Sequence, residues 1–273
     1  MDVGGTDNVE GTTGNVDGIE GSVALVTGAA GGMGEAVVRT LAERGAVVAM
    51  LDRRADRLEE LAARIRESGG RAEAFPADVT DGAAVESAVE RVERRLGPLA
   101  HLVNGAGVLR PGRAWALTDE DWASTFAVNT AGVFHVSRAV VRRMIERRRG
   151  AIVTVASNAA GTPRMDMAAY VASKAASTMF TKCLGLEVSR FGIRCNVVAP
   201  GSTDTPMLTA LWDADAERAS VEGVSSAFRV GIPLGRIARP QHIADAVVFL
   251  LSDRAAHITM QDLTVDGGAA LGH

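Results

Sequence analysis

The sequence predicts an α/β fold in which a doubly wound parallel sheet carries helices on both faces. Three observations carry that expectation. Short apolar runs alternate with longer segments of helical periodicity from Ser22 onward. The first strand-to-helix turn is glycine-rich, reading Thr27-Gly28-Ala29-Ala30-Gly31-Gly32-Met33-Gly34. The chain has 273 residues with 47% hydrophobic side chains, enough for one large core or two small ones. Such alternation implies right-handed crossovers and therefore parallel strands.

The elements follow in order. VALVT is a strand, followed by a helix to Arg44; VVAML precedes a helix from Asp56 to Glu67; AEAF precedes a helix through Leu96. HLVN comes next, then a long helix from about Asp121 to Arg148, the strand AIVTVAS, a helix carrying Tyr170 and Lys174, and the strand RCNVVAP. A partly helical excursion at about 205–230 breaks the rhythm before a helix from Gln241 to Leu251 and a last strand, LTVD. No repeat or interdomain linker interrupts this order, so residues 21–273 are expected to form a single domain. Residues 1–20 are glycine-rich and acidic, without Lys or Arg, and read as a disordered tail.

Composition excludes several functions. The net charge is −4 and there is no basic arm, which gives nucleic acid little electrostatic footing. The one basic run, Arg142, Arg143, Arg147, Arg148 and Arg149, falls where a helix should end before Gly150, where cations suit the helix dipole. Cys183 and Cys195 lack metal-type spacing, and none of the five histidines is placed as a base or ligand, so no metal is expected. No run approaches the roughly 18 apolar residues of a membrane span, and the N-terminus lacks a signal-like apolar stretch. The chain is expected to be cytoplasmic.

Tyr170 is the only tyrosine, and Lys174 is one of only two lysines among 29 basic residues. On a helix, positions i and i+4 share a face, so phenol and ammonium would project toward one point. A free phenol has a pKa of about 10; a neighbouring cation that lowered it by ~3 units would supply ~4 kcal/mol and make a general base. An amphipathic helix with one half-buried Tyr and one solvated Lys reads the same way, so the pair needs independent support. The glycine-rich turn lies between strand and helix, where a dinucleotide's pyrophosphate can approach the backbone and the helix N-terminus. Asp52 closes the second strand about 20 residues on, where an acid accepts from both ribose hydroxyls and repels a 2′-phosphate, favouring NAD over NADP. Arg53 and Arg54 follow directly, and a strand-terminating turn or cap is the other reading of Asp52.

These residues, taken with Asp78-Val79, Asn104-Gly105-Ala106-Gly107, Asn129, Ser157 and Pro200-Gly201, resemble the short-chain dehydrogenase/reductase family from Val23 to Gly272. The resemblance implies a Rossmann-type sheet of seven strands and a catalytic tetrad of Asn129, Ser157, Tyr170 and Lys174. It implies cofactor contacts from Gly28, Gly32, Met33, Gly34, Asp52, Asp78, Val79, Asn104, Ala106, Gly107, Tyr170, Lys174, Pro200, Gly201, Thr203 and Thr205. Two departures stand out: Asn104-Gly105 replaces the paired asparagines common in the family, and Ala100 replaces a frequent acid.

Segments such as GAIVTVASNAAGTPRMDMAAY and IRCNVVAPGSTDTPM narrow the resemblance to a branch that oxidises a cyclohexadiene diol carboxylate with NAD on the way to catechol-type siderophores. By that resemblance Tyr170 is the base, Ser157 holds the reacting oxygen, Lys174 lowers the Tyr170 pKa and binds the nicotinamide ribose, and Asn129 holds a water. The substrate carboxylate needs a cation, and Arg110 and Arg164 are nearest in sequence, with Arg229 in the excursion next. The excursion sits where the family places a lid, and a homotetramer through the long helices is implied. A ketoacyl reductase or another cyclic-alcohol dehydrogenase would share every catalytic residue. A non-enzymatic dinucleotide-sensing protein of the same fold is the alternative of a different class.

Overall fold

Strands buried on both faces need continuous apolar runs, whereas edge strands tolerate charge, and this difference orders the sheet. In a computed structural model that describes residues 17–209 and 215–272, the elements are β1 (Val23–Thr27), α1 (Gly32–Glu43), β2 (Val47–Leu51), α2 (Ala55–Glu67), β3 (Arg71–Ala74), α3 (Gly82–Leu96) and β4 (Leu99–Asn104). They continue with α4 (Asp119–Phe126), a π-helical turn (Ala127–Gly132), α5 (Val133–Arg147), β5 (Gly150–Val155), α6 (Ala168–Val188) and β6 (Ile193–Pro200). After these come α7 (Pro206–Thr209), α8 (Ala216–Glu222), β7 (Gly223–Val224), β8 (Arg229–Val230), α9 (Pro240–Leu251) and β9 (Asp262–Val265).

Seven strands form one parallel sheet in the order β3-β2-β1-β4-β5-β6-β9. The apolar β1 and β5 are central, and the polar β3 and β9 are the edges. One face packs Val37, Leu41, Leu61 and Val247 from α1, α2 and α9. The other packs Val85, Val92, Val140 and Met144 from α3 and α5. Helices therefore cover both faces, as the alternation implies. No helix of the described residues is long and apolar enough to cross a membrane.

Several boundaries differ from the sequence reading. The tail expected over residues 1–20 falls mostly outside the described residues, but its last part is fixed. Ile19 is buried in the core, the Asp253 amide donates to the Asp17 carbonyl at 2.9 Å, and Asp17 pairs with Arg44 at 3.4 Å. The strand expected as AEAF begins at Arg71, and Phe75 enters the core just after it. The long helix expected from Asp121 starts at Asp119 because the Thr118 hydroxyl accepts from the Asp121 amide at 3.0 Å, and it loosens into the π turn midway. The arginine run belongs to the scaffold: Arg143 pairs with Glu86 at 2.8 Å, Arg147 with Glu93 at 2.7 Å, and Arg148 ends the helix in the left-handed region at φ 54°.

Candidate active site

Strand order reverses between β1 and β4, and such a switch point opens a crevice beyond the carboxyl ends of the strands. Gly28 turns out of β1 at φ +66°, and a β-carbon there would stand 2.7 Å from the Ala106 backbone. Gly105 is required in the same way, since its β-carbon would stand 2.7 Å from the Thr27 carbonyl oxygen. The departure from paired asparagines thus matches a close approach of two strand ends. Thr27 Oγ1 accepts from the Gly105 and Ala106 amides at 3.1 and 3.3 Å, which locks that approach.

The residues around this crevice fit a dinucleotide. Helix α1 starts beyond Gly31, which provides no side-chain cap, so no side chain competes for the first-turn amides of Gly32, Met33 and Gly34. Asp52 is buried at the end of β2, and its Oδ2 accepts from the Ala30 amide at 3.3 Å, fixing a carboxylate beside the turn. Its Oδ1 accepts from the Arg54 amide at 3.1 Å and from Arg54 Nε at 3.2 Å. Arg54, half-exposed, must turn aside for a ribose to take that oxygen.

Other expected cofactor residues have local duties. The Asp78 carboxylate accepts from the Thr80 amide and hydroxyl at 2.9 and 2.8 Å, and these bonds hold its pKa below the usual carboxylate value. Val79 is buried against the π turn at Gly132. Asn104 donates to Ser137 Oγ at 2.9 Å and Thr154 Oγ1 at 3.3 Å, so it ties β4 to α5 and β5 from inside. Ala106 and Gly107 are half-buried on the stretch that leaves β4.

The four residues expected as a tetrad lie beside this crevice. Asn129, fully buried in the π turn, donates to the Val108 carbonyl at 2.9 Å and to Ser173 Oγ at 3.0 Å, while its Oδ1 accepts from the Val108 amide at 2.8 Å. A β-carbon on Gly107 would stand 3.4 Å from both Asn129 Oδ1 and Lys174 Nζ, so the two groups flank one point. Lys174 is buried and donates to the Val155 carbonyl at 2.9 Å, with Nζ 5.8 Å from the centre of the Tyr170 ring. Ser157 accepts from the Ala159 amide at 3.1 Å and shares a hydrogen bond with the Tyr170 phenol.

The electrostatics differ from the sequence reading. Burial raises the Tyr170 pKa above its ordinary value, and the bond with Ser157 opposes that rise. Lys174 is pushed down to about 8 by burial. Lys174 is shielded from water, Tyr170 is half-buried against the cavity, and the ammonium spends a hydrogen on a backbone carbonyl, so desolvation outweighs attraction and the resting phenol is protonated.

A cavity of about 470 Å³ opens over Ser157 and Tyr170 and reaches Met33, Pro200, Gly201, Thr203 and Thr205 on the cofactor side. Arg164 and Arg229 both line it. Arg110 is exposed and does not line it, although it follows β4 closely in sequence. Arg229 donates to Ser202 Oγ at 3.0 Å and reaches Ser220 Oγ at 3.5 Å. Its pKa is lowered by burial first and then by the positive charge of Arg164. Sequence reasoning missed Asn158, Ser202, Met165, Met167 and Met207 in this wall. A signal existed: four of the nine methionines line the cavity, Met33 from the first turn of α1, Met165 and Met167 from the segment before α6 and Met207 from the short α7.

Comparison with known proteins agrees with this geometry. Residues 22–216 match the short chain dehydrogenase family. The chain is 54% identical over 249 residues to 2,3-dihydro-2,3-dihydroxybenzoate dehydrogenase of Bacillus subtilis, covering 91% of this chain and 95% of that protein. A gluconate 5-dehydrogenase from Burkholderia cenocepacia, solved with NADP and tartrate, superposes with a TM-score of 0.84 at 34% identity, covering 92% of this chain and 96% of that one. A 7α-hydroxysteroid dehydrogenase, solved with NADH and 7-oxo glycochenodeoxycholic acid, superposes with a TM-score of 0.86 at 30% identity over 92% and 95% of the two chains. A parallel sheet with a dinucleotide crevice at its switch point, and a buried lysine on the tyrosine's helix, therefore go with sequence matches along most of the chain: it belongs to the short-chain dehydrogenase/reductase family and is an oxidoreductase using a nicotinamide dinucleotide.

Proposed function

We propose that the protein oxidises 2,3-dihydro-2,3-dihydroxybenzoate to 2,3-dihydroxybenzoate with NAD, a step toward catechol-type siderophores. The observation that carries this reading is the convergence of Arg164 and Arg229 on the cavity beside Ser157 and Tyr170. Among the described residues neither guanidinium has an ion-pair partner, so two like charges face one space that an anion would neutralise. The rest of the wall is rich in methionine, whose polarizable sulfur suits a flat ring. A single ring bearing one carboxylate fits a cavity of about 470 Å³. The relative at 54% identity, named for this reaction, supports the same choice.

When bound, the dinucleotide would supply the hydride acceptor for ring carbon C3. Ser157 holds the oxygen on C3 by a hydrogen bond, and Tyr170, as the phenolate left once the pair with Lys174 has lost its first proton, takes the hydroxyl proton as the carbonyl forms. The resulting ketone tautomerises to the aromatic diol. Lys174 offers a positive charge beside the phenol and a donor for the nicotinamide ribose. Asn129 clamps the backbone at Val108 and so fixes the wall next to Lys174.

Mixing purified protein, NAD and the dihydrodiol carboxylate should give the absorbance of reduced nicotinamide. Oxidation of other cyclic alcohols but not of this one would overturn the substrate assignment. Charged hydrogen bonds contribute about 1.5–3 kcal/mol, so Arg164→Met or Arg229→Met should raise KM roughly 10- to 100-fold. A dihydrodiol without the carboxylate should be a poor substrate that neither change affects. Unchanged KM in both variants would place the carboxylate elsewhere.

The choice of NAD rests on Asp52, whose carboxylate repels a 2′-phosphate even with Arg54 beside it. NAD should bind at least about tenfold more tightly than NADP, a gap of ~1.4 kcal/mol. Asp52→Ala should narrow the gap chiefly by weakening NAD. Equal dissociation constants for the two cofactors in the parent protein would remove Asp52 from this role.

A further inference from the structure

The loop that brings Arg164 to the cavity also brings an acid. Asp166, two residues on, is the only carboxylate among the described residues lining a space otherwise marked by two guanidinium groups. Left to itself it would be the nearest anion for Arg164. The structure gives it another partner: Arg113 Nε lies 2.8 Å from Asp166 Oδ1, and Arg113 is outside the cavity wall, on the connection between β4 and α4. The two loops are also joined through their backbones, with the Gly112 amide donating to the Asp166 carbonyl at 2.8 Å and a parallel bridge between Gly112 and Met167. Asp166 has φ +62°, a left-handed conformation that Asp and Asn adopt more readily than other side-chain-bearing residues.

We propose that Arg113 is a positioning residue for selection of an anionic substrate. By pairing with Asp166 at the cavity edge, it keeps that carboxylate from closing on Arg164 and leaves the guanidinium free for the substrate's carboxylate. This rests on the reading of Arg164 given above. Both members of the pair are about half-exposed, so the bridge itself adds little to stability. Its effect lies in competition. A carboxylate two residues away on the same loop meets Arg164 at a fixed local concentration, whatever the substrate concentration. A released Asp166 therefore competes with substrate for Arg164.

The test is a set of KM and kcat measurements on Arg113→Ala, Asp166→Asn, the double variant and Arg164→Met, with the dihydrodiol carboxylate and its carboxylate-free analogue. Arg113→Ala should raise KM for the carboxylate about two- to fivefold, the range that a partly exposed Asp166–Arg164 ion pair sustains, while kcat and the KM of the analogue hold. Asp166→Asn keeps the left-handed turn but removes the charge, so adding it to Arg113→Ala should restore KM, and alone it should leave KM at or below the parent value. A single Asp166→Asn variant as impaired as Arg113→Ala, with no rescue in the double variant, would mean the pair only ties two loops and would overturn the proposal. Equal loss for both substrates would do the same. If Arg164→Met raises KM but Arg113→Ala does not, the proposal fails and the carboxylate reading stands. If Arg164→Met leaves KM unchanged, the proposal fails and so does the assignment of the carboxylate to Arg164, with Arg229 left to carry it.

Discussion

Tyr170→Phe should abolish turnover while leaving dinucleotide affinity within a few-fold of the parent. The substitution keeps the ring and its packing and removes only the oxygen that bonds with Ser157. No other tyrosine exists in the chain to take over the proton. The loss should appear in kcat and kcat/KM together, because the interaction belongs to the transition state. As an ordinary half-buried residue, Tyr170 would tolerate the change with little effect. A folded Tyr170→Phe protein that binds NAD and turns over near the parent rate would refute the mechanism.

Lys174→Arg should lose most activity as well, since a longer planar head cannot occupy the compact site between the Val155 carbonyl and the Tyr170 ring. The same buried pair sets the pH dependence. Burial pushes the phenol up and the ammonium down to about 8, so the first proton leaves the pair near pH 8. Phenolate with ammonium and phenol with amine carry the same number of protons, so the ionisation belongs to the pair. In the parent protein kcat/KM should therefore rise with pH through one ionisation at about 8, well below that of free phenol. A profile that climbs only above pH 10, or is flat from 6 to 10, would contradict it. For stability the sign is opposite to that of a salt-bridged lysine. The folded protein releases this proton at about 8 and the unfolded chain near 10.5, so stability should increase with pH between those values, and the cost of burying the charge is fully present below 8.

Much of the fold was legible because its signals are local and periodic. The alternation of short apolar runs with helical segments announced parallel strands, and the scarcity of tyrosine and lysine pointed to the pair on α6. What was not legible depends on through-space packing. Ile19 is a single apolar residue in a glycine-rich stretch, so its docking into the core leaves no periodic trace. Six residues of π geometry inside an otherwise regular helix do not disturb a 3.6-residue pattern enough to be read. Arg110 and Arg164 were nearest the tetrad in sequence, yet Arg229 comes from the far excursion to share the wall with Arg164 while Arg110 faces outward. The direction of the Tyr170 pKa likewise follows from burial, which spacing on one helix does not report.

A π turn carries one more residue than the α turn it interrupts, and the flanking helices can close into a single regular ladder if that residue is lost. Here the lengthened stretch runs from Ala127 to Gly132 and contains Asn129, so the fold should tolerate the shorter length and the site should not. Deleting Asn129 should leave a protein that unfolds in one urea transition and still binds NAD, but without the clamp on Val108 and without turnover. An insoluble product would instead mean that the sheet itself depends on the π turn. If the deletion folds, loss of one codon separates an oxidoreductase from a dinucleotide-binding protein with no catalytic activity, and length variation at this turn becomes a direct route by which such chains could be recruited to other work.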